Sequence, residues 1–215
     1  MHRLIFFFFL SSGFTSLVFE VVWERSLAKV FGTSSLALST LLTSFMAGLA
    51  LGSWFGGKIA AKTQRPLRIY GLIEGSIGVY ALLVPSLFGL LPTFYQALFD
   101  SYLDDLLTFS LLRFGVVFLI LLVPTTLMGA TLPLVSQWIA TREAKFQGSS
   151  GALYGLNTLG ACLGALLAGF VVLPAWGLKQ TNFTFAASNL LLCALVLFFE
   201  RRMEASTELP AEENE

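Results

Sequence analysis

Two short segments of the chain repeat the same pattern of small residues inside long apolar runs. Residues 48–57 read GLALGSWFGG and residues 160–169 read GACLGALLAG. Residues four apart stack on one face of a helix, so each segment would form a helix with one face nearly free of side chains. In water each glycine would destabilise such a helix by about 1 kcal/mol relative to alanine. In lipid, backbone groups must bond internally and small residues allow close helix packing.

These two segments are therefore predicted to form helix-packing surfaces within a membrane. Their small residues are Gly48, Gly52, Gly56, Gly160, Gly164 and Ala168. The composition agrees, because 56% of the residues are hydrophobic and 12% are charged, whereas soluble domains carry about 25% charged residues. The mean hydropathy is +0.79. We expect an all-α integral membrane protein, and the zero net charge argues against a nucleic-acid partner.

Six apolar stretches are long enough to cross a hydrocarbon core about 30 Å thick. Their predicted bounds are 4–31, 34–61, 67–91, 106–139, 150–173 and 181–199. Pro85 is expected to interrupt the third span, while Pro124 and Pro133 are expected to break the fourth. A polar connection is expected over 92–105. The chain thus divides into a transmembrane domain, 1–199, and an acidic disordered cytoplasmic tail, 200–215.

Most lysine and arginine side chains fall on one of the two sides that this topology defines. One side collects Arg3, Lys58, Lys62, Arg65, Arg68, Arg142, Lys145, Arg201 and Arg202. The other side has Lys29 and Lys179, together with Asp100, Asp104 and Asp105. Because cytoplasmic loops are enriched in lysine and arginine, both termini are predicted to be cytoplasmic.

The two small-residue segments lie in spans two and five, which run in opposite directions in this topology. Similar sequences in opposite orientations are typical of the inverted repeats of transporters. The sequence therefore suggests a repeat of three helices plus three. The similarity covers about ten residues rich in glycine and alanine, so independent convergence on a packing motif remains an equal alternative.

Several polar and ionisable side chains fall within the predicted spans, where a charge costs about 2.5 kcal/mol or more. The candidates for ligand binding or intramembrane pairing are Glu20, Trp23, Glu24, Arg25, Glu74, Arg113 and Asn157. One interpretation pairs the glutamates of span one with Arg25 or Arg113. The other places Glu20 and Glu74 around a cation, with Trp23 or Tyr80 as an aromatic wall. Pairing is favoured, because Glu74 lies nearer the cytoplasmic half than Glu20 does.

The sequence contains no recognisable catalytic or metal-binding motif. Its only histidine is His2, and neither Gly-x-Ser-x-Gly nor Gly-x-Gly-x-x-Gly occurs. Cys162 and Cys193 fall in apolar runs without metal-ligand spacing and are interpreted as packing residues. We therefore expect no catalytic residue, no metal and no cofactor.

Several blocks resemble bacterial membrane-bound spermidine synthase-like proteins. Residues 12–14 (SGF) with 20–25 (EVVWER) are similar to the opening helix of that family, and 48–53 (GLALGS), 127–134 (LMGATLPL) and 153–161 (LYGLNTLGA) follow in order. The resemblance covers about residues 10–180. It implies a membrane domain arranged like half of a major facilitator superfamily transporter. The family's aminopropyltransferase-like domain, with its Gly-rich nucleotide loop and catalytic aspartate, has no counterpart here, so we expect a non-catalytic chain.

Three functions are compatible with these observations. The first is a membrane module of the bacterial inner membrane that anchors or serves a partner, such as a polyamine-related enzyme or a larger membrane complex. The second is a small-solute transporter working as a homodimer, for which the resemblance implies polyamines. The third is a purely structural subunit of a complex. Besides the bilayer, a protein partner or a second copy is expected.

Overall fold

The computed structural model describes residues 2–31, 35–101, 105–142 and 150–207, and within these ranges no strand occurs. The α-helices are α1 (His2–Phe31), α2 (Ser35–Lys62), α3 (Pro66–Ser101), α4 (Leu106–Arg142), α5 (Ser150–Leu167) and α6 (Leu173–Thr207). A π-helical turn, Ala168–Val172, joins α5 to α6.

Five stretches of the described residues are helical, long and apolar enough to cross a membrane, where the sequence predicted six. They are Leu4–Val30, Leu38–Lys62, Pro66–Ala97, Leu107–Arg142 and Gly151–Met203. The last contains both predicted spans five and six. At 53 residues a straight helix would be about 80 Å long, but the backbone departs from helical geometry at Gly177 (φ 73°, ψ 173°), a conformation essentially restricted to glycine.

The two halves of that last stretch run in opposite directions along α1. On α5, Gly160 approaches the carbonyl of Leu10, and Gly164 approaches that of Phe14, so α5 and α1 are parallel. On α6 the order is reversed. The Phe14 ring lies 5.8 Å from that of Phe185, and an earlier phenylalanine of α1, Phe8, lies 6.4 Å from a later one of α6, Phe199.

The helices associate in pairs that are distant in sequence. α2 packs along α4, α1 along α5, and α3 along α6. Both small-residue faces are covered by another helix of the same chain: a Cβ added at Gly52 would overlap the carbonyl of Thr126, and one at Gly56 would crowd Ala130. Gly48 lies equally close to Thr125, and Ala168 is fully buried. Small residues thus bring these backbones together.

Prolines do not interrupt α3 or α4, so the breaks predicted from the sequence are wrong. Pro85 and Pro92 lie inside α3, and Pro124 and Pro133 lie inside α4. The connection predicted over 92–105 is accordingly helical as far as Ser101. Each proline lacks the N–H that would bond to the carbonyl four residues earlier, so four carbonyls lose their usual partner.

Side chains of neighbouring helices donate hydrogen bonds to three of these carbonyls. Such replacement by neighbouring side chains is one way in which membrane helices tolerate proline. The bonds run from Asn182 to the Ala81 carbonyl (2.7 Å) near Pro85, from Tyr80 to the Ile120 carbonyl (2.8 Å) near Pro124, and from Ser53 to the Gly129 carbonyl (3.2 Å) near Pro133. These contacts stabilise the long helices and join α3 to α6, α3 to α4, and α2 to α4.

Some sequence-based expectations concern residues outside the described ranges. Asp104 and Lys145, used to assign the orientation, belong to them, as do residues 208–215 of the expected tail. α6 continues to Thr207, so the described part of the segment predicted as tail is helical.

Candidate functional site

Glu74, two turns into α3, is a fully buried carboxylate at the interface of three helices. The Ser12 hydroxyl of α1 donates to its Oε1 atom, and the Asn189 side-chain amide of α6 donates to its Oε2 atom at 3.1 Å. The Tyr70 hydroxyl, one turn earlier on α3, lies close to the same carboxylate. It donates its hydrogen bond to the Phe8 carbonyl at 3.2 Å. The carboxylate therefore links α1, α3 and α6.

One buried hydrogen-bond acceptor beside Glu74 lacks a donor in the described part of the chain. Asn189 is 1% exposed, and its Oδ1 atom has no hydrogen-bond partner in the described part of the chain. Within the same ranges, Glu74 forms no ion pair, and its partners are neutral side chains. A buried polar atom without a partner costs about 1–3 kcal/mol. A fully buried carboxylate of this kind suits a proton or a small cation.

The side chains around Glu74 are not those of a typical metal-binding site. No group of three or more histidine, cysteine, aspartate or glutamate side chains with metal-binding geometry occurs among the described residues. Glu74 is the single carboxylate of its cluster, and the remaining ligands would be hydroxyl and amide oxygens.

Trp23 belongs to the same three-helix interface, two turns away along α6. Its Nε1 atom donates to the Asn182 Oδ1 atom at 3.1 Å, and its ring stacks on Phe19 with centroids 5.3 Å apart. A cavity of about 170 Å³ opens beside it, lined mainly by apolar side chains together with Lys179 and Asn182. The lysine makes this cavity a poor receptor for a cation.

The structure does not bring Glu20 and Glu74 together. Glu74 contacts Ser12, which precedes Glu20 on α1 by two turns, or about 12 Å along the axis. Both Glu20 and Glu24 are half-buried. Neither forms an ion pair with Arg25 in the described ranges, and Arg25 donates instead to the Gly169 carbonyl at 3.3 Å.

The remaining sequence-predicted residues occupy other interfaces. The Arg113 guanidinium lies over the rings of Tyr95 (5.0 Å) and Phe109 (5.3 Å). Asn157 packs against the backbone at Gly13, where an added Cβ would overlap its carbonyl. Tyr80, the alternative aromatic wall, is directed towards α4 by its hydrogen bond. The residues of the hypothetical cation site therefore lie at separate interfaces, and Glu74 is the carboxylate among them that accepts hydrogen bonds from two other helices.

Sequence reasoning missed Ser12, Tyr70 and Asn189, the partners of Glu74. Serine and tyrosine are ordinary residues in membrane helices, and their meeting with Glu74 depends on tertiary packing. The sequence did contain an indication that α6 contributes polar contacts. Asn182 and Asn189 are two turns apart in an apolar helix, and amides in such helices usually hydrogen-bond across to neighbours.

Two curated proteins of Ralstonia nicotianae are distantly similar to this chain. They are polyamine aminopropyltransferase 2 and polyamine aminopropyltransferase 1, each 25% identical over 185 residues, or 86% of this chain. The chain spans about a third of their lengths, 33% and 32% respectively. No protein-family model matches the chain, and no solved structure matches it.

Proposed function

We propose that this chain is a helical membrane module that anchors or serves an enzyme of the polyamine aminopropyltransferase type. One observation carries the proposal: the similarity covers 86% of this chain but only a third of each relative, and the described residues of this chain are almost entirely apolar helices. We therefore infer that the shared region corresponds to a membrane-type region of these larger enzymes. A separate partner would supply the reaction.

The partner proposal is tested by purifying the tagged chain from its own membranes after mild crosslinking. We expect a second protein to co-purify and the eluate to transfer aminopropyl groups to a polyamine. An unrelated polytopic protein, purified in the same way, controls for adventitious capture. An eluate that contains this chain alone and lacks the activity would overturn the proposal.

We also propose that the chain crosses a bacterial inner membrane six times, with both termini cytoplasmic. The antiparallel placement of α5 and α6 along α1 supports two crossings in the last apolar stretch. The distribution of cations supports the orientation. The end of α2, the start of α3 and the ends of α4 and α6 carry arginines and lysines, whereas few occur at the opposite end.

The pairing of the helices supports an inverted repeat of three plus three. In such a repeat α1 corresponds to α4, α2 to α5 and α3 to α6. The packed pair α2–α4 then has its counterpart in the packed pair α5–α1. The pair α3–α6 is its own counterpart. Each of the first two pairs uses glycines for close contact, Gly52 in one and Gly164 in the other. This correspondence is that expected of half of a major facilitator-like fold.

A second candidate function is transport of a small cation, with a polyamine as the first substrate to test, by a homodimer. Glu74 supports it, because intramembrane carboxylates commonly mark ion or proton pathways. Uptake of radiolabelled spermidine into proteoliposomes should be saturable, and Glu74→Gln should abolish it. Glu20→Gln is the matched control and should leave uptake intact. Uptake that is absent, or that survives Glu74→Gln, would exclude this mechanism.

A further inference from the structure

A second polar cavity lies at the end of the molecule where α3 begins and α6 ends. Because these two helices are antiparallel and packed together, the first turn of α3 meets the last turns of α6. The cavity has a volume of about 370 Å³ and is lined by Arg65, Arg68, Leu72, Leu197, Glu200 and Arg201. Neither Glu74 nor its hydrogen-bond partners Ser12 and Asn189 line it.

The polar part of this cavity has an excess of positive charge. Three arginines face one glutamate, and that glutamate is largely buried, whereas Arg68 and Arg201 are exposed. Guanidinium groups bind phosphate oxygens through paired, charge-assisted hydrogen bonds. The N-terminus of α3 also lies here, and the positive end of a helix dipole favours an anion. These features favour an anion that has several oxygen atoms.

The other part of the cavity is apolar. Leu72 and Leu197 lie further into α3 and α6 than the arginines do, and Leu72 is 50% exposed. A ligand that fills the cavity would therefore place a charged group beside the arginines and an apolar chain along the two helices. The volume falls within the usual range for small-molecule sites, about 300–1,000 Å³.

We propose that this cavity binds the phosphate headgroup of an anionic phospholipid, whose acyl chain lies over Leu72 and Leu197. Basic pockets between membrane helices on the cytoplasmic side commonly hold such headgroups. The proposal rests on the proposed topology, in which α3 and α6 span the bilayer and this end of the molecule is cytoplasmic, and it is independent of the partner enzyme and of transport.

Native mass spectrometry of the purified protein, titrated with phosphatidylglycerol in mild detergent, tests the site. The double variant Arg68→Gln/Arg201→Gln should weaken lipid binding on the order of tenfold. The control Lys58→Gln/Lys62→Gln removes the same charge from the neighbouring end of α2, outside the cavity, and should bind the lipid like the unmodified chain. The conservative variant Arg68→Lys/Arg201→Lys should retain part of the binding.

Two further ligands identify the source of the phosphate. Phosphatidylcholine, which is zwitterionic, should bind weakly, and glycerol 1-phosphate should fail to displace the lipid at equal concentration. Equal losses in the arginine and lysine double variants would overturn the proposal, as would equal binding of the two lipids. Displacement by glycerol 1-phosphate would assign the cavity to a soluble phosphate and exclude the lipid.

Discussion

Tyr80, Asn182 and Ser53 each donate a hydrogen bond to a carbonyl that a proline leaves without its usual helical partner. At the scale of single residues, the interior of this protein is organised by such specific polar contacts. The sequence indicated that Glu74 was unusual, because a carboxylate in an apolar helix is rare. It did not indicate the donors, because hydroxyl and amide groups gain these roles only when distant helices meet.

The hydrogen bond opposite Pro124 makes Tyr80→Phe a specific test. We expect the variant to lose about 0.5–2 kcal/mol of unfolding free energy, since the Ile120 carbonyl loses a donor. In a Pro124→Ala background the loss should be smaller, because the backbone N–H restored at position 124 can bond to that carbonyl. Unfolding in mixed micelles measures all four proteins of the cycle. Equal losses in both backgrounds would show that the tyrosine acts independently of the proline.

Two substitutions at Glu74 separate the charge from the hydrogen bonds. Glu74→Gln preserves an acceptor for Ser12 and removes a charge that lipid disfavours, so stability should be equal or higher. Glu74→Ala leaves the Ser12 and Asn189 donors without acceptors and opens a void, and should cost about 2–4 kcal/mol. Thermal unfolding in detergent measures both variants. Equal destabilisation would mean that the negative charge itself holds the fold together.

At the scale of the helices, the fold depends on which small-residue face meets which partner. The spacing of the glycines is a local pattern, and the sequence was sufficient to propose two packing faces. The sequence did not predict which helices these faces contact, because the pairing of α2 with α4 and of α1 with α5 is a property of the folded chain. The predicted breaks at Pro85, Pro124 and Pro133 failed for the same reason, since their replacement donors lie on other helices.

Two glycines of α5 allow a matched test of close packing. A Cβ at Gly164 would overlap the Phe14 carbonyl, whereas one at Gly155 has no neighbour within 4 Å among the described residues. Gly164→Ala should therefore destabilise the protein by about 1–3 kcal/mol or more, while Gly155→Ala should be neutral or stabilising by up to about 1 kcal/mol. Comparable melting temperatures for the two variants would refute close α1–α5 packing.

The start of α4 has a titratable cap. Asp105 accepts hydrogen bonds from the backbone N–H (3.0 Å) and hydroxyl (2.6 Å) of Thr108, which lower the pKa of Asp105 below its usual value of 3.8. Because the pKa of Asp105 is lower in the folded protein than in the unfolded one, this cap stabilises the folded protein at pH values above the unfolded pKa. The stabilisation is lost as the pH falls through the folded pKa. Amides of the first turn of α4 should lose hydrogen-exchange protection in that acidic range. Asp105→Asn retains a cap without titration, so a pH-dependent loss in that variant would implicate another group.

At the scale of the whole molecule, the sequence predicted an all-helical membrane protein, and the apolar helices agree with that class. It predicted six spans, whereas helix length and hydropathy define five stretches in the described ranges. The difference arises at Gly177, where a glycine-specific backbone conformation interrupts the last stretch. The local sequence, with Pro174 and Gly177 among apolar residues, does not distinguish a bend within one helix from a reversal of the chain direction.

Cysteine labelling tests the proposed topology in intact spheroplasts. In a chain with Cys162→Ser and Cys193→Ser, a membrane-impermeant maleimide should label Lys179→Cys from outside. Lys62→Cys and Arg202→Cys should react only after the membrane is opened. External labelling of Arg202→Cys would imply that the last stretch crosses once, and would contradict six crossings.

The pairing of helices that are distant along the chain has a consequence for biogenesis. During synthesis α1 and α2 emerge first, but the helices that cover them, α5 and α4, are made later. A nascent chain that has inserted only its first three helices carries two smooth, uncovered grooves in the bilayer. Those grooves would be open to helices of other proteins, so translation speed and the insertion machinery would govern how much of the chain matures correctly.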